Sequence, residues 1–143
     1  MLNSEQVNAA VHHYIFTALW SEGCNGTASW ADHNGNGCRG SDCDVSLLSL
    51  GFAQADVSLD SHTTMREDVA AFISGCESER PDIFDGIDPE QVGHDFWLTR
   101  NHHGAGFWDR GLGERGEWLT RMADPYGDAS LWVGSDNRVH YQN

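Results

Sequence analysis

A stretch without apolar periodicity, residues 23–44, divides the sequence into two unequal parts. It reads GCNGTASWADHNGNGCRGSDCD, and its Gly, Asn, Ser and Asp residues are typical of loops. A loop of this length is unusual within a chain of only 143 residues, which is the size of one ordinary domain. We therefore interpret residues 1–143 as a single domain that carries a Gly/Asn/Cys-rich loop insertion at about 23–44.

The sequence before the insertion predicts a helix. Val7, Val11, Tyr14 and Ala18 recur at helical spacing, which places them on one buried face. Asn3 or Ser4 is a suitable N-cap for this segment, and Gly23 ends it. The first helix is therefore expected to extend from the start of the chain to the edge of the insertion.

A second helix is predicted from about residue 61 to residue 78. Asp60 or Ser61 is its expected N-cap, and Pro81 prevents it from continuing. Its apolar residues form one stripe at helical spacing.

Two further helices follow. Asp88 and Pro89 combine an N-cap with proline at the first helical position, so a third helix is expected from there to Arg100. A strand over residues 96–100 is the competing interpretation of its last part. The apolar spacing of residues 114–123 predicts a fourth, short helix.

The predicted β structure lies in the C-terminal third of the chain. Residues 106–110 are expected to form a short strand, and SLWVG and RVHYQ are expected to form a hairpin around a turn at 135–137. The predicted fold class is α+β, with three N-terminal helices followed by a small antiparallel sheet built from a strand, a helix and a C-terminal hairpin.

The charge of the chain limits its partners. Asp and Glu number 22 against 8 basic residues, which gives a formal charge of −14, and every basic residue is arginine. Such a chain repels nucleic acid and anionic membranes, so we expect no direct binding to either. The acidic surface is explained either by solvation, including adaptation to high salt, or by recognition of a basic partner. The sequence has no signal peptide and no apolar run long enough to span a bilayer, which favours the cytoplasm.

The insertion contains candidate metal ligands, although no cofactor is firmly implied. Oxygen donors at alternate positions resemble the opening of a calcium loop, and four thiol and imidazole donors are a zinc alternative without a common zinc spacing. A disulfide between Cys38 and Cys43, or between Cys24 and Cys43, is a third interpretation, and an unliganded loop is the favoured one. The candidate residues are Cys24, Asp32, His33, Asn34, Asn36, Cys38 and Cys43.

Residues 93–111, GHDFWLTRNHHGAGFWDRG, form the segment that is richest in polar and aromatic side chains. Its two Phe-Trp pairs are expected to anchor the core. Its polar side chains are candidates for a small ligand site, in which a histidine acts as acid or base and Arg100 holds an anion. The alternative is a hydrogen-bonded network that fixes the turn. The candidate ligand-binding residues are His94, Asp95, Arg100, Asn101, His103 and Asp109.

This segment resembles a block found in a family of small uncharacterised proteins of tailed bacteriophages. Family members commonly have Gly where this chain has His102, and Asp-Gly is more usual than Asp136-Asn137 in the similar segment LWVGSDNRVHY. Weaker similarity covers YIFTALW in the first helix and the helix around VAAF. The resemblance implies a phage setting, hence the cytoplasm of a host cell, and a shared fold. It implies no particular activity.

Three functions are compatible with these patterns. The leading one is a small acidic accessory protein of phage type that binds a basic surface on a host protein, as an inhibitor or a nucleic-acid mimic. The second is a small-ligand-binding protein or enzyme that uses the polar cluster of residues 94–109. The third is a minor virion component. The sequence has no P-loop or HExxH motif, which makes an enzyme the less favoured class.

Overall fold

A computed structural model of the chain describes residues 1–22 and 46–143. The candidate metal ligands of the insertion therefore lie outside the described residues. Within these two ranges, the fold consists of four helices and a two-stranded antiparallel hairpin, so it is mixed α+β and mostly helical. The elements are α1 (Ser4–Ser21), α2 (Leu59–Glu79), α3 (Pro89–Arg100), α4 (Glu114–Ala123), β1 (Ser130–Val133) and β2 (Val139–Gln142).

Helices α1, α2 and α3 begin at residues whose side chains accept hydrogen bonds from the first turn, whereas the N-cap of α4 is Gly113. Asn3 caps α1 and forms a reciprocal capping box with Gln6. Asp88 caps α3 by accepting from the backbone N–H of Glu90 at 2.9 Å, as the sequence predicts. None of the helices in the two described ranges is long and apolar enough to cross a membrane.

The start of α2 differs from the prediction. Its N-cap is Ser58, whose hydroxyl accepts from the backbone N–H of Ser61, so the helix begins at Leu59 rather than at about 61. Asp60 and Ser61, which were expected to cap it, lie inside its first turn. The carboxylate of Asp60 is favourable there because it faces the positive end of the helix dipole.

The strand predicted at residues 106–110 is wrong. Phe107–Asp109 instead forms one turn of 3-10 helix, with the N–H of Asp109 donating to the carbonyl of Gly106. The N–H of Phe107 donates to the hydroxyl of Thr99 at 3.1 Å. Because these backbone groups bond locally, the segment does not join the sheet. The competing strand at 96–100 is also wrong, since those residues complete α3.

Helices α1 and α3 approach each other unusually closely at Gly93. A Cβ atom at this position would lie 1.8 Å from the carbonyl oxygen of Ala10, which no side chain tolerates. Glycine therefore permits direct backbone contact between the two helices. This contact positions the exposed edges of α1 and α3 next to each other.

Stacked aromatic rings form the centre of the core. Phe72 of α2 stacks on Phe96 of α3, with centroids 4.1 Å apart and planes 5° apart. Phe107 is fully buried and lies 5.7 Å from Phe72. Trp97 is also buried, whereas Trp108 is 44% exposed. Three of the four aromatic residues of the central segment are therefore core residues, as expected, and the fourth is at the surface.

The C-terminal hairpin packs its buried face on the helices. Its register pairs Leu131 with Tyr141 and Val133 with Val139, and three of these four side chains are fully or almost fully buried. Val139 also forms a parallel bridge with Val57, just before α2. The hairpin predicted from SLWVG and RVHYQ is confirmed.

Candidate functional site

The six candidate ligand-binding residues of the central segment do not form one site. Asp95 and His94 share one set of partners, and Arg100 has a different set on the side of the hairpin. Asn101, His103 and Asp109 belong to the loop that follows α3. These residues are separated because α3 ends at Arg100 and because the side chains face different elements.

Arg100 is buried beneath the hairpin, with 1% of its side chain exposed. Its guanidinium forms an ion pair with Asp68 of α2 at 2.9 Å. It also donates to two tyrosine hydroxyls and two backbone carbonyls, and stacks over the ring of Phe96 at 5.5 Å. These further acceptors, each at 2.8–2.9 Å, are Tyr14 Oη, Tyr141 Oη, Tyr126 O and Gly127 O.

The two tyrosines join Arg100 and Asp68 in one buried network. Tyr14 and Tyr141 hydroxyls lie 2.9 Å apart, and Tyr141 donates to the carboxylate of Asp68 at 2.5 Å. Burial raises the pKa of Tyr14 to about 12, and burial also raises the pKa of Tyr141. Because the guanidinium of Arg100 is enclosed by this network, an incoming anion has no access to it. Arg100 positions the hairpin on the helices.

Asp95 is the centre of a second network, whose partners differ from those of Arg100. Its carboxylate is 1% exposed and accepts two N–H groups of Arg110 at 2.8–3.1 Å. Gln91 donates to the same carboxylate at 2.7 Å, and Nδ1 of His94 lies 3.2 Å from it. Hydrogen bonding to Asp95 raises the pKa of Arg110. The guanidinium of Arg110 also reaches the carbonyl of Ala105, so this network holds the glycine loop in place.

The other three candidates have separate surroundings. The amide of Asn101 donates to the carbonyl of Trp97 and accepts from the N–H of Ala129, which ties the end of α3 to the hairpin. His103 and Asp109 are exposed in the loop. Thus His94 and Asp95 are in direct contact, whereas the structure brings neither of them to Arg100.

An exposed groove lies beside the Asp95 network. Its first part is a cavity of about 550 Å³ that is lined by apolar and small polar residues at the end of α1, the end of α3 and the glycine loop. The lining residues are Trp20, Ser21, Ser46, Ser49, Leu98, His103, Gly104 and Ala105. His103 is the one member of the six predicted site residues in this lining.

A second cavity, with acidic residues in its lining, lies near Trp20. Trp20 is 52% exposed, and its ring stacks on that of His94 with centroids 6.3 Å apart. On the far side of His94, this second cavity of about 230 Å³ is lined by His13, Asp88, Glu90, Gln91 and His94. His13 and Glu90 form an ion pair at 3.1 Å across α1 and α3.

Sequence reasoning missed Trp20, Arg110 and Asp68. Arg110 pairs with Asp95, fifteen residues away along the chain. Asp68 and Arg100 are separated by 32 residues. No local spacing signals such pairs. Trp20 had a signal, because its position in YIFTALW is one helical turn after Phe16, outside the buried stripe of α1.

Metal ligation has no support in the described part of the chain. Within residues 1–22 and 46–143, no group of three or more His, Cys, Asp or Glu side chains is arranged to hold a metal ion. The calcium, zinc and disulfide interpretations all involve residues of the insertion, outside those ranges.

Comparison with known proteins adds no functional assignment. No protein-family model, curated protein or solved structure matches the chain.

Proposed function

We propose that the chain is a small acidic accessory protein of phage type that acts by binding a basic surface on a host protein, as an inhibitor or a nucleic-acid mimic. The single observation that carries this proposal is the arrangement of charge in the described residues, where most arginines bond within the chain while carboxylates are exposed at the surface.

The arginines of the described residues mostly donate to groups of the same chain. Two of them bind the carboxylates of Asp68 and Asp95, and one pairs with Glu114 at 2.8 Å. Three others bind an asparagine or backbone carbonyls: Arg66 to Asn8, Arg115 to Ile83 and Asp85, and Arg138 to Ala55. A guanidinium held in this way is a poor counter-charge for the surface as a whole.

Exposed carboxylates, by contrast, cluster in one region of the described residues. The connection between α2 and α3 and the helix ends beside it carry Glu79, Asp82, Asp85 and Asp88, all exposed. The basic residue within this run, Arg80, is bound to Glu114. These four carboxylates are therefore presented to solvent with little local compensation. Such a surface attracts basic proteins over distances of about a Debye length.

Competition with DNA is the test of this function. A labelled DNA duplex is bound to each of a panel of purified, basic, bacterial nucleic-acid-binding domains, and the protein is added while fluorescence anisotropy is recorded. We expect the protein to release the duplex from at least one domain by occupying its basic surface. Failure to bind any basic domain would contradict the proposal and favour solvation as the role of the acidic surface.

A charge-reduced variant provides the control. Glu79→Gln, Asp82→Asn and Asp85→Asn together remove three exposed charges, and the side chains of these residues are not among the helix caps. We expect this variant to remain folded and to release the DNA less efficiently. Asp88 is left unchanged because it caps α3.

A further inference from the structure

Two bulky aromatic side chains on the same face of α1 are left exposed. Phe16 is 41% exposed and Trp20 is 52% exposed, and they lie one helical turn apart. The other large exposed apolar side chains of the described residues are far apart in sequence and lie on different elements. Adjacent exposed aromatic residues of this kind mark interaction sites more often than chance.

The surroundings of these rings define the chemistry of an occupant. On one side of Trp20 is the cavity of about 550 Å³, whose apolar lining includes Leu98 and Ala105. On the other side, beyond His94, are the carboxylates of Asp88 and Glu90. An apolar recess is therefore next to a negatively charged rim. The rim sits beside an exposed indole that also favours cations.

We propose that this groove, here called the Trp20 groove, is the docking surface for a basic segment of a partner protein, in which an apolar side chain lies next to arginine or lysine. The apolar side chain enters the cavity between Trp20, Leu98 and Ala105. The cationic side chain binds at Glu90 and Asp88. This inference rests on the proposed function, since it assigns a location to the binding of a basic partner.

Charge complementarity is what selects this occupant. Glu90 is more than half exposed, and Nε2 of His13 lies 3.1 Å from its carboxylate. An arginine or lysine supplies a full charge to the same carboxylate. The Asp95–Arg110 network beneath the groove holds the carbonyl of Ala105 in place, so the recess is already formed before an occupant arrives.

Peptide titration of the isotope-labelled full chain, followed by two-dimensional amide NMR, tests the Trp20 groove. One synthetic peptide alternates arginine with leucine, and a second has serine in place of every leucine. We expect the first peptide to bind more tightly and to shift the indole N–H signal of Trp20 and the amide signals of residues 103–106. The indole signal of Trp132, on the hairpin, is expected to stay in place.

Two matched variants complete the test. Trp20→Ala is expected to weaken binding of the leucine-containing peptide by about tenfold, and Glu90→Gln by about threefold. Trp132→Ala removes a comparably exposed tryptophan elsewhere and is expected to leave the affinity unchanged. An amide spectrum of each variant verifies that it is folded.

The outcomes separate this inference from the function on which it rests. Equal affinity for both peptides, no binding of either, or an unchanged affinity in Trp20→Ala would overturn the Trp20 groove. Shifts at Trp20 that depend on protein concentration without peptide would also overturn it, because the occupant would then be a second copy of the chain. If the Trp20 groove is overturned but basic domains still release DNA when the protein is added, the proposed function stands. Only the assigned binding location is then wrong.

Discussion

The buried guanidinium of Arg100 forms an ion pair with the partly buried carboxylate of Asp68, with Nη1 of Arg100 2.9 Å from Oδ2 of Asp68. The pair joins the last residue of α3 to the middle of α2, and Tyr141 brings the hairpin to the same point. One guanidinium therefore connects three elements that are distant in sequence. This ion pair explains why Arg100, a candidate ligand-binding residue, has a structural role.

Arg100→Lys is expected to lower the free energy of unfolding by about 2–4 kcal/mol. A lysine ammonium cannot reproduce the planar set of donors that Arg100 offers to its carboxylate, hydroxyl and carbonyl acceptors. Urea denaturation measures the change. Arg66→Lys is the control, because Arg66 is exposed and bonds to Asn8, and its effect is expected to stay within about 0.5 kcal/mol. Equal effects of the two substitutions would contradict the assigned role.

The buried tyrosines predict a loss of stability in alkali. The pKa of Tyr14 is about 12 in the folded chain, above its ordinary value of 10.0, so its contribution is fully present below pH 10.0 and is lost as the pH rises towards 12. Each such group reduces the free energy of unfolding by about 1.4 kcal/mol per pH unit in this window. We expect Tyr14→Phe to be less stable at neutral pH but to show a shallower decline above pH 10.0. An unchanged slope in urea denaturation at several pH values would refute this.

Gly93→Ala is expected to destabilise the chain by about 2 kcal/mol or more, because the added Cβ would collide with the backbone of Ala10. Gly75→Ala, within α2, is the matched control. A Cβ at Gly75 meets nothing within 4 Å, so the substitution is expected to stabilise by about 0.5–1 kcal/mol. Thermal denaturation of both variants distinguishes the close helix contact from a general effect of alanine.

His102→Gly is expected to increase stability by about 0.5–1 kcal/mol. His102 follows α3 with φ 55°, and the N–H groups of His102 and His103 bond to Thr99 and Leu98 in a Schellman motif, where glycine is preferred. His103→Gly is the neighbouring control, because the backbone of His103 has no positive φ, and it is expected to bring no gain. Stabilisation by both or by neither substitution in urea denaturation would contradict this account.

Asn137→Gly is expected to give a smaller gain than His102→Gly. Asn137 has φ 60° in the hairpin turn, and asparagine adopts this conformation at lower cost than histidine. His102 and Asn137 are the two non-glycine residues with positive φ in the described ranges. Equal gains in stability from the two substitutions would contradict the expected difference between histidine and asparagine in the free-energy cost of a positive φ.

Local signals predicted the regular elements well. The caps Asn3 and Asp88 mark the starts of α1 and α3, and the turn at 135–137 separates the two strands of the hairpin. The segment 106–110 misled, because its aromatic residues are typical of strands. Its conformation is set instead by a hydrogen bond to Thr99, eight residues away.

The candidate site was less predictable than the fold. Asp95 and Arg100 were assigned to one site because they are close in sequence. A separation of five residues along a helix, however, points their side chains in different directions. Their partners Arg110 and Asp68 are distant in sequence, and no single-chain pattern identifies such pairs. Trp20 was overlooked because the exposed face of an amphipathic helix is usually solvated, although its position one turn after Phe16 places an aromatic residue on that face.

The most direct measurement of the central claim is the salt dependence of the affinity for a basic protein. The dissociation constant is measured for one basic nucleic-acid-binding domain by isothermal titration calorimetry, at salt concentrations from about 50 mM to about 500 mM. If exposed carboxylates carry the recognition, the affinity falls by about tenfold or more over this range. An affinity that does not change with salt would contradict the account.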